Sequence, residues 1–279
     1  MLIPFFKYEG AGNDFVIIDN RELNLCLDKR IVSFICDRHY GIGSDGLMIL
    51  ENVVKTAVNS NDIGPCERSV DFAMKFYNPD GSGGMMCGNG GRCIVRFVKD
   101  RGLIESDKTI FLAPDGLHEA EILKTGNISL KMKDVDLFET YADGRWLDTG
   151  TSHFVKKTEN LISADVFAEG RKLRYDVRFQ KHNGANINFY EETAPCFLFI
   201  RTYERGVENE TLACGTGITA AALSYSVDKN LPDGSHIVSV KTKNDALQVS
   251  FNKTGNSFRN IYLTGPAKKV FEGKIGIDI

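Results

Sequence analysis

A short cysteine–glycine motif occurs twice in this chain of 279 residues, once in each half. Cys87 is followed by Gly-Asn-Gly, and Cys214 is followed by Gly-Thr-Gly. Apolar residues recur at helical spacing after each motif, which predicts helices over 92–100 and 218–228. We therefore expect each cysteine at a helix N-terminus, where backbone N–H groups and the macrodipole favour the thiolate. One such site indicates a nucleophile, whereas two indicate a paired acid and base.

The two halves share more than this motif, because other segments recur in the same order before each cysteine. An ordered series of matches favours an internal duplication that gives two similar domains. The matching pairs are Gly10–Phe15 with Thr149–Phe154, Arg38–Gly43 with Lys181–Asn186, and Phe76–Asn78 with Thr202–Glu204.

Strand-like segments dominate between these motifs, and each half has one central helix. This pattern predicts an α+β fold of two similar domains that face one another, each with strands wrapped around a central helix. We expect residues 1–134, joined by 267–279, to form one domain and 135–266 to form the other. The predicted strands are 109–113, 128–132, 197–203, 236–242 and 247–251, and the further helices are 28–40 and 164–171.

Composition restricts the class of protein. Hydrophobic residues make up 42%, charged residues 25%, and the formal net charge is −3, which is typical of a soluble globular protein without affinity for nucleic acid. No apolar run reaches membrane-spanning length and no signal peptide is recognisable, so we expect a cytoplasmic protein without a membrane partner. The seven cysteines are an odd number, which favours reduced thiols; Cys26, Cys36, Cys66, Cys93 and Cys196 are expected to pack or to be incidental.

Two other kinds of site are less well supported by the spacing. The glycines of 41–46 match a dinucleotide-binding pattern, but they follow a helical segment and precede a strand, which is the reverse of the order such a site needs. Cys87 and Cys93 are too far apart for the usual pair of zinc ligands, so we expect no metal.

Glycines after each cysteine let the backbone approach a ligand closely, and successive N–H groups can then hold a carboxylate. Other polar residues have a structural and a functional interpretation. Asn13, Asn78 and Asn186 favour turns, and His153 can be a satisfied polar residue or a catalytic one. Glu204-Arg205 can form a surface ion pair, or the arginine can bind a carboxylate with its guanidinium fork.

The chain resembles the diaminopimelate epimerase family from end to end. The resemblance implies two pseudo-symmetric domains with the active site in the cleft between them, usually in a homodimer. The implied reaction is inversion of one α-carbon of LL-2,6-diaminopimelate to the meso isomer, for lysine and peptidoglycan synthesis. It implies no cofactor, and specifically no pyridoxal phosphate. The residues that carry it are Gly10–Phe15, Gly41–Leu47, Phe76–Gly81, Met86–Cys93, Gly184–Phe189, Arg201–Gly206 and Thr211–Gly217.

The resemblance also implies roles for individual residues. Cys87 and Cys214 are the acid–base pair, and His153 and Glu204 assist the protonation states of the thiols. The residues implied to bind the substrate are Asn13, Asn78, Gly88, Asn89, Asn186, Glu204, Arg205, Gly215 and Thr216.

Three positions depart from the family pattern. Thr151 stands where the family usually has an asparagine that binds the distal end of the substrate, and Gly46 stands where many relatives have glutamine. The loop 82–85 is rich in glycine where relatives are acidic. These departures concern recognition of the substrate more than the chemistry of the cysteines.

Other functions remain open at this stage. A proline or hydroxyproline racemase also uses two cysteines, but it needs no groups for a second amino-acid centre such as Asn78, Asn186 and Arg205. A phenazine-pathway isomerase lacks the paired cysteines. A non-catalytic binding protein and a redox dithiol protein are the alternatives from other classes.

Overall fold

The computed structural model describes residues 1–53, 70–84 and 87–277. Cys66, Met85, Met86 and the last two residues, which the sequence analysis mentions, lie outside these ranges. The chain forms two compact units, Met1–Leu130 with Pro266–Ile279, and Lys131–Gly265. Strands predominate in both units.

The first unit contains strands from both ends of the chain. Its elements are β1 (Leu2–Gly10), β2 (Asn13–Asp19), α1 (Lys29–Cys36), β3 (Gly46–Glu51), β4 (Phe72–Tyr77), α2 (Gly88–Asp100), β5 (Lys108–Ala113), β6 (Gly116–Ile122), β7 (Ile128–Lys131) and β17 (Lys268–Gly276). The strands pair in the order β17-β1-β2-β3-β4-β5-β6-β7.

The second unit is contiguous in sequence. Its elements are β8 (Phe138–Tyr141), β9 (Gly144–Asp148), β10 (Ser152–Lys157), α3 (Val166–Arg174), β11 (Asn186–Ala194), β12 (Phe197–Glu204), β13 (Asn209–Thr211), α4 (Gly215–Asp228), β14 (Gly234–Lys241), β15 (Ala246–Thr254) and β16 (Ser257–Gly265), with 3₁₀ helices at Leu161–Ser163 and Val177–His182. The strands pair in the order β8-β9-β10-β11-β12-β14-β15-β16, and β13 pairs with β12.

The two strand orders repeat the same sequence of pairing directions. From the first strand to the last of each order, the first two pairs of neighbouring strands are antiparallel, the third is parallel and the fourth is antiparallel. The fifth pair is parallel, and the last two are antiparallel. The predicted pair of similar α+β halves is therefore confirmed. The first strand of the series is β8 in the second unit, but in the first unit it is β17, from the C-terminal end of the chain.

Strand register corrects one of the predicted matches between the halves. Phe15 pairs with Gly46 in the first unit, and Phe154 pairs with Ile187 in the second. If Phe15 corresponds to Phe154, as the repeat indicates, then Asp45 corresponds to Asn186. The predicted match of Gly43 with Asn186 is therefore wrong by two residues. The cause is that the connection between the two paired strands differs in length in the two halves.

Helices α2 and α4 form the centre of their units. Almost every residue of α4 is buried, and α2 exposes only the side of Arg96, Lys99 and Asp100. A helix that is buried around its whole circumference must be covered on all sides by other elements. In the first unit α2 contacts strands β1, β2, β3, β6 and β17, and in the second α4 contacts β9–β12 and β14–β16.

The helix predicted over 28–40 ends at Cys36, so that prediction is wrong from Asp37 onward. The Asp37 side chain accepts hydrogen bonds from the backbone N–H groups of His39 and Tyr40, both at 2.7 Å, which stabilises a turn in place of the helix. The N–H of Ile42 then bonds back to the Ile35 carbonyl at 3.0 Å. The glycines of 41–46 therefore follow the end of a helix and lead into β3, as their position in the sequence indicated.

We predict that Gly170→Ala lowers the free energy of unfolding by about 1–3 kcal/mol, although alanine favours helix formation. A Cβ atom on Gly170 of α3 would lie 2.4 Å from the Cβ of Tyr203 in β12, which is buried and cannot give way. Urea unfolding measures the change. Gly276→Ala, where the added atom meets open space, is the control, and equal stability of both variants would contradict the prediction.

Candidate active site

Both cysteines are N-cap residues. Cys87 precedes α2 and Cys214 precedes α4, each with extended backbone, so the helices begin several residues earlier than predicted and directly after the thiols. The Cys87 carbonyl accepts from the N–H of Gly91 at 2.7 Å, and the Cys214 carbonyl accepts from Ile218 at 2.8 Å. The first N–H groups of an α-helix are not used in its internal ladder of hydrogen bonds, so each N-terminus can bind an anion.

The other thiol on α2 has a different environment. Cys93 is completely buried, and burial raises its pKa. Its Sγ lies 3.1 Å from the position that a Cβ on Gly10 would take, which shows how closely β1 packs on the helix. Cys93 is therefore a packing residue, whereas Cys87 is only half-buried.

The Cys214 thiol lies beside hydroxyl groups. Its Sγ is 3.4 Å from the Oγ1 of Thr216, and either atom can be the donor. The carbonyl of Thr216 accepts from the Thr149 hydroxyl at 2.9 Å. Gly150 also packs against Thr216, because a Cβ there would lie 3.6 Å from its methyl group. The loop before β10 thus lies directly against the first turn of α4.

Glycine is required at the third position of this turn. A Cβ on Gly217 would lie 2.1 Å from the side-chain oxygen of Asn188, a buried residue on β11. The helix N-terminus and β11 approach each other more closely than any larger residue permits.

In the first unit, amides link the start of α2 to the start of β2. Asn89 donates from Nδ2 to the Oδ1 of Asn13, and Asn13 donates to a carboxylate oxygen of Asp45 at 3.0 Å. The Oδ1 of Asn89 accepts from Arg92 at 2.9 Å. The two predicted binding residues, Asn13 and Asn89, are therefore in contact and fix each other's orientation.

Charged groups hold the far end of this chain of bonds. Arg38 donates to Asp45 and to Asp14, each at 2.8 Å, and buried Lys7 lies 2.6 Å from Asp14. Burial alone would raise the pKa of Asp14, but the hydrogen bonds from Arg38 and Lys7 outweigh it and lower the pKa to about 2. The loop before β3 is thus fixed to β1 and β2 by ion pairs.

Asn78 lies in a turn after β4. Its carbonyl accepts from the N–H of Gly81 at 2.9 Å, and its side chain donates to the Ser82 hydroxyl at 3.0 Å. This bonding accounts for Asn78 as a turn residue.

Two of the departures from the family pattern are structurally connected. A Cβ on Gly46 would lie 2.9 Å from the ring of Phe76, and a Cβ on Gly84 would lie 2.6 Å from the same ring. Phe76 therefore fills the space beside both glycines. A longer residue at position 46 would require the ring to move.

In the second unit, Asn186 connects three parts of the candidate site. Its Oδ1 accepts from the backbone N–H of Arg205 at 2.9 Å, and its Nδ2 donates to the hydroxyl of Thr151 at 3.2 Å and to the carbonyl of Ser152 at 3.1 Å. Glu204 accepts from the Thr211 hydroxyl at 2.8 Å. The structure thus brings Asn186 and Arg205 together with Thr151.

The guanidinium group of Arg205 is anchored at one nitrogen. Its Nη1 donates to the carbonyls of His182, Asn183 and Gly184 at 3.3–3.4 Å, where the 3₁₀ helix ends. Cations are favoured at such carbonyl ends. Among the described residues no acceptor bonds to Nε or Nη2, which leaves one edge of the fork for a carboxylate.

His153 is completely buried and bonded at both ring nitrogens. Nδ1 is 3.0 Å from the Nδ2 of Asn188, and Nε2 is 2.9 Å from the hydroxyl of Thr151. Burial lowers the pKa of His153 to about 3, against a smaller opposing effect of Asp148. The imidazole is therefore neutral at physiological pH.

Two buried residues of these networks, Asn188 and Arg92, were not predicted from the sequence. Asn188 stands two residues after Asn186 and so on the same face of β11, and Arg92 stands three residues after Asn89 and four after Gly88 on α2. Arg92 donates to the Asn89 side chain and, at 3.2 Å, to the Gly88 carbonyl. Strand alternation and helical spacing were the signals available in the sequence.

Comparison with solved structures defines the class of fold. A phenazine biosynthesis protein of the PhzF family from Bacillus anthracis superposes with a TM-score of 0.74 at 16% identity, covering 99% of this chain and 100% of the other. A probable proline racemase from Agrobacterium radiobacter K84 superposes with a TM-score of 0.67 at 12% identity, covering 99% and 93%. The chain therefore has the fold of this group of racemases, epimerases and isomerases.

Sequence comparison identifies the family within that class. The pattern of the diaminopimelate epimerase family matches residues 5–137 and 145–270. A diaminopimelate epimerase from Flavobacterium psychrophilum is 43% identical over 98% of this chain and 100% of its own length, and one from Chlorobaculum tepidum is 40% identical over 95% and 98%. The chain belongs to the diaminopimelate epimerase family and is an isomerase, as the sequence predicted.

None of the helices in the described ranges is both long enough and apolar enough to span a membrane.

We predict that His153 makes stability depend on pH. Because its pKa falls from 6.5 to about 3 on folding, the unfolded chain binds a proton there that the folded chain does not. This contribution is complete above pH 6.5 and is lost as the pH falls toward 3, by up to about 1.4 kcal/mol per pH unit. His153→Gln should flatten the dependence between pH 7 and 5 in urea unfolding.

The comparison uses the slope against pH, since the substitution also changes absolute stability. His39→Gln, at an exposed histidine of the first unit, is the control and should keep the wild-type slope. An unchanged slope in His153→Gln would show that the imidazole titrates alike in the folded and unfolded chains.

Proposed function

We propose that this chain interconverts LL- and meso-2,6-diaminopimelate, with Cys87 and Cys214 as the two proton carriers. One observation carries the proposal: each thiol is the N-cap of the central helix in one of two units with the same strand order. Duplicated groups of equal chemistry suit a reaction that must run in both directions.

Inversion requires a base and an acid on opposite faces of the α-carbon. One cysteine, as thiolate, removes the α-proton, and the other, as thiol, delivers a proton to the opposite face. The negative charge that develops spreads onto the adjacent carboxylate. The N–H groups of Gly88, Asn89, Gly215 and Thr216 belong to the first turns of α2 and α4. At a helix N-terminus such groups would stabilise that charge. The route requires no cofactor and no metal.

The remaining predicted residues are proposed to recognise the rest of the amino acid. Asn13 and Asn89 are held by Asp45 and Arg92, which fixes their amides before a substrate arrives. Anchored Arg205 offers one edge of its fork to a carboxylate, as described above. Preorganised groups bind more strongly because they lose little freedom on binding. We also assign Asn78, Asn186 and Glu204 to substrate binding.

His153 and Glu204 are proposed to support the cysteines. For His153 this support runs through its neighbours, since both ring nitrogens are bonded to Asn188 and Thr151. The side-chain oxygen of Asn188 in turn lies close against Gly217, at the start of α4. His153 is thus a positioning residue in this proposal, and Glu204 acts together with Thr211. A homodimer remains a prediction from the resemblance, and a cytoplasmic location remains a prediction from the sequence.

We predict that Cys87→Ala and Cys214→Ala each abolish inversion, because either variant lacks one of the two proton carriers. The test is incubation with LL-diaminopimelate in D₂O, with α-deuterium and stereochemistry followed by NMR. Wild-type protein should give the meso isomer with deuterium at the inverted carbon.

Cys26→Ala, which removes an exposed thiol of the first unit, is the matched control and should retain wild-type turnover. Circular dichroism checks that the variants fold. A fully active Cys87→Ala or Cys214→Ala would refute the two-base assignment. A wild-type protein that exchanges no α-proton of diaminopimelate would refute the substrate.

We predict that Arg205→Ala raises the KM for diaminopimelate about ten- to a hundredfold, as expected when a hydrogen bond to a charged group is lost. The rate of thiol alkylation by iodoacetamide should change much less, because the arginine contacts carbonyls and not the thiols. Arg171→Ala, at an exposed arginine of α3, is the control. Equal loss of binding and thiol reactivity would show that Arg205 is mainly structural.

A further inference from the structure

The hydrogen bonds around His153 determine where its proton lies. The Nδ2 of Asn188 is 3.3 Å from the carbonyl oxygens of both Phe154 and Asn186, and its Oδ1 accepts from the Thr202 hydroxyl at 3.0 Å. Backbone carbonyls can only accept, so the NH₂ group of Asn188 must be on this side. The same NH₂ group faces Nδ1 of His153, which therefore carries no proton. The neutral ring has its proton on Nε2.

The orientation of Asn186 is fixed by backbone groups in the same way. The N–H of Arg205 can only donate, so the atom that it meets is Oδ1. The carbonyl of Ser152 can only accept, so the atom beside it is Nδ2. Nδ2 is also the atom that lies 3.2 Å from the hydroxyl of Thr151.

The hydroxyl oxygen of Thr151 thus receives two donors, His153 Nε2–H and Asn186 Nδ2–H. A hydroxyl oxygen has two acceptor sites, and both are occupied. Its own proton must point in a third direction, as a donor. The hydrogen bonds within the described part of the chain include no acceptor for it.

Contacts connect Thr151 to both groups assigned to the carboxylates. Its neighbour Gly150 packs on Thr216, which contacts Cys214, and Asn186 links its hydroxyl to Arg205. We propose that Thr151 donates its hydroxyl proton to the substrate carboxylate that Arg205 binds, and thereby determines specificity for a second carboxylate. This inference rests on the proposed function. An ammonium group at this position would meet an oxygen with no acceptor site left.

Thr151 is thus a specificity-determining residue, and His153 and Asn188 are positioning residues that make its hydroxyl a donor. At this departure from the family pattern, threonine therefore keeps a polar contact with the substrate. It provides a donor of fixed direction, whereas a side-chain amide has both a donor and an acceptor end.

The experiment compares Thr151→Val, which keeps the shape and removes the hydroxyl, with Thr151→Ser, which keeps the hydroxyl. We expect Thr151→Val to raise the KM for diaminopimelate about ten- to a hundredfold, with kcat changed much less, and Thr151→Ser to stay within about threefold. Two competitive inhibitors locate the contact: 2-aminopimelate keeps both carboxylates, whereas lysine lacks one. Inhibition by 2-aminopimelate should weaken in Thr151→Val, and inhibition by lysine should not.

Thr158→Val is the matched control, because the hydroxyl of Thr158, the residue after β10, has no hydrogen-bond partner among the described residues. A wild-type KM in Thr151→Val, or equal weakening of both inhibitors, would overturn the inference while wild-type epimerisation still supports the function. If Thr151→Val does not fold, ¹⁵N NMR of His153 in the wild-type protein decides. A proton on Nε2 alone supports the network, and a proton on Nδ1 overturns it.

Discussion

The chemistry proposed for this chain depends on the electrostatics of a helix N-terminus. Cys87 and Cys214 each begin the central helix of a unit, so the backbone groups that can hold an anion and the thiol that can exchange a proton come from the same few residues. Close packing makes this arrangement possible, since glycines let strands approach the helix: Gly10 meets Cys93, and Gly217 meets Asn188. The strands of both units serve to bury the helices and to deliver amides and hydroxyls to their N-terminal turns.

The polar side chains near the N-terminus of α2 and those near the N-terminus of α4 are held in place by different interactions. In the first unit, the amide side chains of Asn89 and Asn13 form a chain of hydrogen bonds. It joins Arg92 to the ion pair of Asp45 and Arg38. In the second, a buried neutral imidazole and the amides of Asn186 and Asn188 take that place, with bonds to backbone groups at each end. A duplication fixed the strand order of both halves, and the polar chemistry has since diverged. The thiols therefore sit in unlike electrostatic surroundings, even though their backbone positions are equivalent.

Much of this organisation was predictable from sequence, and the failures have physical causes. The duplication and the fold class follow from motifs repeated in order, and the family follows from the resemblance of those motifs to known members. The helix starts were placed too late because Gly88, Gly90 and Gly215 have low helix propensity, which hides a first turn that tertiary packing imposes. The end of α1 was missed because the Asp37 side chain competes for backbone N–H groups. Asn188 and Arg92 escaped attention because their roles depend on which atoms strand register and burial bring within bonding distance.

The first unit is completed by a strand from the opposite end of the chain. β17 pairs along β1, so residues 268–276 supply the outermost strand of a unit whose other strands end by residue 131. The second unit lies wholly between these two parts in sequence. During synthesis the ribosome therefore releases every strand of the second unit before the last strand of the first. The N-terminal half therefore leaves one edge of β1 exposed to other chains until the whole second unit and β17 have been synthesised.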